Sequence, residues 1–172
     1  YQPKQQLSDG KVQSCECLLG WIDNGEFISP GEFIHIAERS GLILVLGEWV
    51  RDSAFRQARQ WYEEGRQVQI AINISARQYL QPGFTESIAR RLLVYDIPAS
   101  LIELERTEAS IMDNHQLASA VLVELRALEV SLSIDDFGTG YSSLAYLSAF
   151  PVDKVKIDRS FVSQMVDAPK QQ

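Results

Sequence analysis

The sequence predicts an α/β fold built as a barrel, and three features predict it. From residue 68 onward, segments with strand character alternate with helical ones, which implies a parallel sheet. Each such strand pairs an apolar face with a small or polar one. Val68, Ile70, Ile72 and Ile74 oppose Gln69, Ala71, Asn73 and Ser75; Ile102 and Leu104 oppose Glu103 and Glu105. Leu132 and Ile134 oppose Ser133 and Asp135, and Val155 and Ile157 oppose Lys154, Lys156 and Asp158. A sheet covered by helices on both faces reads instead as nearly continuous apolar runs, whereas a barrel turns its polar strand faces inward. Finally, Asn73, Glu105, Asp135 and Lys156 fall late in their strands, at the end where barrel enzymes carry their chemistry.

Each element has a local reason. Tyr1–Leu7 and Val12–Leu19 read as strands around the turn Ser8-Asp9-Gly10. Ser29-Pro30-Gly31-Glu32 starts a helix, with Ser as cap, Pro in the first turn and Glu three residues on. That helix runs to about Ser40 and stops at Gly41. A longer amphipathic helix covers about Gly47–Glu64, with Trp49, Ala54, Ala58 and Trp61 toward the core, and Gly65 ends it. Val68–Ser75 is a strand, Pro82–Tyr95 a helix, Leu101–Arg106 a strand and Asn114–Leu128 a helix. The strand Ser131–Asp135, a short helix near Tyr141–Leu147 and the strand Val152–Asp158 follow.

The chain has 172 residues, 45% of them hydrophobic, enough for one well-filled core and too apolar for disorder. A formal charge of −7 argues against a nucleic-acid polymer as partner. No apolar run approaches the ~18 residues of a membrane span, and no signal peptide is visible. Cys15 and Cys17, the only cysteines, support neither a disulfide scaffold nor a zinc cluster, and a reducing, cytoplasmic setting is expected. The first residue is Tyr1, so the chain reads as an excised domain or processed fragment.

The stretch Ser131–Leu147 concentrates the chemistry. A strand runs into Asp135 and Asp136, and a Gly138-x-Gly140 turn follows. Adjacent acids repel; at ~4 Å and an effective dielectric of ~20, two like charges cost about 4 kcal/mol, which a cation would remove. Asp and Gly also cluster in plain turns. With Glu105, Asn73 and Lys156 at the same mouth, the set suggests an oxygen-ligand site for Mg²⁺ or Mn²⁺ and metal-assisted phosphoryl chemistry. A solvated barrel end is the alternative.

The motifs go further. Tyr1-Gln2-Pro3, Glu16-Cys17-Leu18-Leu19 with Trp21, Ser29-Pro30 through Phe33-Ile34, Ala37-Glu38 with Gly41-Leu42-Ile43, and Gly47-Glu48-Trp49-Val50 appear in order. Asn73 through Gln78, Glu105-Arg106-Thr107-Glu108, Asp135 through Leu144, and Pro151-Val152-Asp153 with Lys156-Ile157-Asp158 complete the series. In this series the chain resembles the EAL-domain family of cyclic-di-GMP phosphodiesterases, a bacterial signalling family. The resemblance implies a TIM-like (β/α) barrel of EAL type with an antiparallel first strand, and Mg²⁺- or Mn²⁺-dependent hydrolysis of cyclic di-GMP to linear pGpG. It implies Glu16, Asn73, Glu105 and Asp135 as ligands of one metal and Asp136 as ligand of a second. Lys156 resembles the lysine that contacts the catalytic water, Glu108 the glutamate that steadies the Gly138–Ser143 loop, and Gln2 and Leu18 substrate contacts. That loop is expected to be mobile without ligand and to lie near a dimer contact.

Departures from the family pattern set further expectations. Cys17 replaces the middle residue of the Glu-Ala-Leu signature and should face the helices. Gly20 stands where the family has an arginine associated with substrate. Arg106 occupies a usually apolar position and is expected to pair with a neighbouring acid. The chain stops after the strand carrying Lys156, before a Glu-Gly-Val-Glu strand and a Gln-Gly strand of the family. The expectation is therefore one domain over residues 1–172, the N-terminal portion of an EAL barrel, incomplete and lacking the last strands and helices. It is either part of a longer protein with regulatory domains or naturally truncated. By itself it should be inactive or weak, and a homodimer or other oligomer should cover its open barrel edges. The other class of reading is a degenerate EAL module that binds nucleotide or a protein partner without turnover. His35, His115 and Arg90-Arg91 read as surface groups, Cys15 and Cys17 as packing residues, and Trp49 and Trp61 as helix-face core.

Overall fold

The computed structural model describes residues 1–112, 115–139 and 150–163. The strands are β1 (Gln2–Gln5), β2 (Val12–Cys17), β3 (Trp21–Asp23), β4 (Glu26–Ile28), β5 (Gln69–Asn73), β6 (Ile102–Thr107), β7 (Ser131–Phe137) and β8 (Lys154–Ile157). The helices are α1 (Pro30–Ser40), α2 (Leu42–Glu63), α3 (Ala76–Tyr79), α4 (Phe84–Tyr95), α5 (Glu108–Met112), α6 (His115–Ala127) and α7 (Arg159–Ser163). The helix expected near Tyr141–Leu147 lies outside the described residues.

One sheet runs in the order β1-β2-β5-β6-β7-β8. β1 is antiparallel to β2, and every other pair is parallel. A flat sheet would hold β1 about 14 Å from β6, three strand spacings away. Yet Lys4 Nζ on β1 lies 2.6 Å from Glu105 Oε1 on β6. The sheet is therefore curled into part of a barrel, with its polar faces meeting inside. The apolar faces look outward to the helices: Phe55, Ile70, Ile72, Ile88, Ile102, Ile111 and Leu132 are fully buried. Burying such side chains stabilises by about 1.5–3 kcal/mol each.

α1 begins as its cap predicts. The Ser29 N–H donates to Glu32 Oε1 at 3.3 Å, and the Glu32 N–H donates to the Ser29 carbonyl at 2.9 Å. Gly41, at φ 85°, ends α1 and opens α2. α2 thus starts at Leu42 rather than Gly47; Gly47 is buried inside the helix, where a Cβ would run into the Gln78 carboxamide, so the glycine marks a close approach and not a helix start. The buried face of α2 is Ile43, Gly47, Arg51, Ala54, Phe55 and Ala58. Trp49 falls off that face and is 62% exposed, contrary to the expected core position; Trp61 is half-buried against the core. Arg91, expected on a solvated surface with Arg90, is 8% exposed and bound to Glu48. β3 and β4 form a hairpin that pattern did not anticipate, turned by Asn24 and Gly25, both at positive φ.

Candidate functional site

Parallel strands in register place their C-terminal ends together. β2 contributes Glu16, β5 Asn73, β6 Glu105, β7 Asp135 and β8 Lys156. Asn73 Nδ2 donates to Glu16 Oε1 at 2.7 Å. Lys156 Nζ lies at the centre of the group, 3.1 Å from Glu16 Oε2, 2.8 Å from Glu105 Oε2 and 2.6 Å from Asp135 Oδ2. Glu16, Glu105 and Asp135 can each present one oxygen within 4.8 Å of the other two.

The electrostatics follow from burial. Glu105 is 0% exposed. Burial pushes its carboxyl above the usual range, opposed by the ammonium groups of Lys156 and Lys4. For Lys156, burial would lower the pKa, but the Asp135 and Glu105 carboxylates outweigh it and hold the ammonium well above the ordinary amine range. One layer deeper, Lys154 Nζ lies 2.6 Å from Glu103 Oε2 and Lys4 Nζ lies 3.8 Å from Glu103 Oε1. Burial would raise the Glu103 carboxyl; Lys154 and Lys4 hold it below the usual range. Glu16, Glu103, Glu105 and Asp135 thus face Lys4, Lys154 and Lys156, leaving one negative charge in excess.

Asp136 follows Asp135 in β7 but is not among the three carboxylates that come within 4.8 Å of one another. β7 carries an extra residue against β8 between Ile134 and Phe137, and Asp136 there takes φ 55°. Such a bulge re-aims side chains. Asp136 is exposed, and its carboxyl is raised by partial burial and then by the neighbouring Asp135 and Asp158 charges. Its N–H donates to Asp135 Oδ1 at 2.9 Å. Glu108 is buried in α5, and its Oε2 accepts the Gly138 N–H at 3.1 Å. The rest of the expected mobile loop, from Gly140 to Ser143, lies outside the described residues. Gln2 pairs with Glu16 in the β1–β2 register, and its side chain is exposed. Leu18 lies on the rim of a cavity of about 530 Å³ that Cys17, Ile34, Val50, Asn73 and Glu105 also line.

Sequence reasoning missed Lys4, Glu103 and Lys154. The signal was present for two of them: Glu103–Glu105 and Lys154–Lys156 share the period of two that marks one strand face. Lys4 gave none, because its strand meets β6 only through the curl of the sheet.

Comparison with known proteins follows the same lines. The EAL domain model matches residues 1–172. The chain is 42% identical over 171 residues to the signaling protein YkoW of Bacillus subtilis, covering 99% of this chain and 21% of that protein. It is 41% identical over 167 residues to the bifunctional diguanylate cyclase/cyclic di-GMP phosphodiesterase MucR of Pseudomonas aeruginosa, covering 96% and 24%. The cyclic di-GMP phosphodiesterase PdeR of Escherichia coli is 38% identical over 173 residues, with 26% of its length covered. The chain thus spans about a quarter or less of these relatives. The solved PaMucR phosphodiesterase in complex with c-di-GMP matches with a TM-score of 0.93 at 40% identity, over 99% of this chain and 70% of that one.

Proposed function

This chain belongs to the EAL domain family, and from that premise we propose that it carries the metal-binding half of a site that hydrolyses cyclic di-GMP to linear pGpG. The observation that supports this most is the convergence of Glu16, Asn73, Glu105, Asp135 and Lys156 at the C-terminal strand ends. The donor set fits Mg²⁺ or Mn²⁺: its protein ligands offer oxygen only, three carboxylate oxygens come within 4.8 Å, and the interior carries excess negative charge.

In this reading Glu16, Asn73, Glu105 and Asp135 hold one ion and Asp136 a second. Bound divalent cations supply Lewis-acid polarisation of the phosphoryl oxygens. The Lys156 ammonium orients the attacking water and offsets the charge that develops on the phosphoryl group. One P–O3′ bond of the ring breaks as the water oxygen joins phosphorus and a water proton ends on the departing O3′, so the ring opens once and a linear dinucleotide with a 5′-phosphate and a free 3′-hydroxyl leaves. Glu108 fixes the backbone at Gly138 beside the acidic pair. Gln2 and Leu18 meet the nucleotide at the rim.

A second reading is a module that binds nucleotide, or a partner, without turnover. Gly20 favours it: the position that bears arginine in the family has no side chain here, and a Cβ there would lie 3.3 Å from the Phe27 ring. The test is to incubate the full natural protein with cyclic di-GMP and Mg²⁺ or Mn²⁺ and follow pGpG by chromatography. Metal-dependent pGpG is expected, with Asp135→Asn lowering the rate at least about 100-fold, because the chemistry depends on ligand geometry. Tight cyclic di-GMP binding without pGpG would establish the second reading instead.

A further inference from the structure

We propose that Lys4 is a positioning residue for the cation site, fixing the Glu105 carboxylate from the side opposite Lys156; the inference rests on the metal-site reading above. Glu105 is fully buried, and its two oxygens have different partners. Lys156 Nζ lies 2.8 Å from Oε2, the oxygen that shares that ammonium with Glu16 and Asp135. Lys4 Nζ donates to Oε1 at 2.6 Å. Among the described residues Oε1 has no other hydrogen-bond partner.

The approach of Lys4 is built into the fold. β1 is the antiparallel strand, so it enters the interior from the direction opposite to β8. Its register against β2 shifts between Lys4 and Gln5, an irregularity of the kind that redirects a side chain. Lys4 also reaches Glu103 at 3.8 Å, so it spans two layers of the barrel interior. A carboxylate held on one oxygen alone can turn about its last bond; one held on both keeps its plane. With Lys4 on Oε1, Oε2 stays in the cluster. Without it, Glu105 turns to give both oxygens to Lys156 and is lost as a cation ligand.

The sign of the effect separates positioning from charge. If Lys4 acted only as a nearby positive charge, its removal would strengthen cation binding. Removing an outer partner that orients a ligand typically weakens metal affinity about 10- to 100-fold. The experiment is Mn²⁺ titration by calorimetry, with the EPR signal of free Mn²⁺ as a second readout, on the full natural protein without nucleotide. Lys4→Met is expected to weaken binding about 10- to 100-fold. Lys4→Gln, a shorter neutral donor that guards against misfolding of the first variant, should lie between it and the wild type. Lys4→Arg should stay within about 3-fold of the wild type, since it restores the donor. Lys154→Met removes the same unit charge from Glu103 without touching Glu105, and should also stay within about 3-fold. Unchanged or tighter binding in Lys4→Met, or an equal loss in Lys154→Met, overturns the proposal. Asp135→Asn separates the two levels: a loss there with none in Lys4→Met removes the role of Lys4 and keeps the site, while no loss in Asp135→Asn removes both.

Discussion

Arg106 carries its charge among apolar side chains and is 4% exposed. Its guanidinium stacks 3.3 Å from the Tyr79 ring centroid, and Nη2 donates to the Ser110 carbonyl at 2.7 Å. Nε and Nη1 meet no acceptor, and no acid contacts the group among the described residues, so the expected acidic partner is not found there. Burial pushes its pKa down to about 10, with Tyr79 pulling the other way. The unfolded chain keeps this proton to higher pH than the folded one, so stability rises with pH only above about 10, and the full penalty stands at neutral pH. Arg106→Met should therefore raise the melting temperature at pH 7, by the equivalent of about 1–4 kcal/mol. Calorimetry decides it; a lower melting temperature would mean that the Tyr79 and Ser110 contacts outweigh desolvation.

One acid ties a long helix both to itself and to its neighbour. Glu48 on α2 binds Arg51 on its own helix and Arg91 on α4 through different oxygens. Burial would raise the Glu48 carboxyl, but hydrogen bonds from Arg91 and then Arg51 outweigh it and hold it below the usual range. Its contribution is therefore present above the unfolded value of about 4.5 and fades as pH falls through the lower folded value. Glu48→Gln should lower stability by about 1–3 kcal/mol at pH 7, discounted for the half-exposed carboxylate. Urea unfolding at stepped pH should show the gap between variant and wild type narrowing below about 4.5. A gap that stays constant with pH would show that shape, rather than charge, joins the helices. The same helix explains what the sequence concealed. Its buried face contains Gly47 and Arg51, so an apolar pattern could not trace it, and Trp49 was drawn inward by its hydrophobicity. The strands were legible because β6 alternates Ile102 and Leu104 with Glu103 and Glu105, broken only by Arg106 on the apolar face. The β3–β4 hairpin was not, since strands of three residues are too short to show a period, although Asn24-Gly25 is the turn pair that hairpins prefer.

Seen whole, the six-stranded sheet has β1 and β8 as its outer strands. Beside β8, Val155 and Ile157 and then Phe161 and Val162 of α7 expose apolar surface. Among the described residues no strand pairs with the outer side of β1 or β8, and an unpaired edge with apolar neighbours favours pairing with another chain. The 172-residue chain purified by itself is therefore expected to elute as a dimer or larger species, with little pGpG formed. Light scattering that reports a single 19.4 kDa species with a high melting temperature would count against this. The cluster of site acids was legible from their late position in each strand. The interlocking of lysines from both outer strands was not, because only curvature brings those strands to β6. No helix among the described residues is long and apolar enough to cross a membrane.

The alternation in β6 also governs which genetic changes this chain can absorb. Deleting the Ile102 codon would exchange the two faces of the strand that follows, driving Glu103 and Glu105 toward the helices and Leu104 into the charged interior. Most single substitutions there alter one contact; a change of length alters every contact at once. The turn at residues 7–10, fully exposed between β1 and β2, has no such constraint. Natural variation in length should therefore accumulate at that turn and be purged from β6, however freely the individual letters of either segment drift.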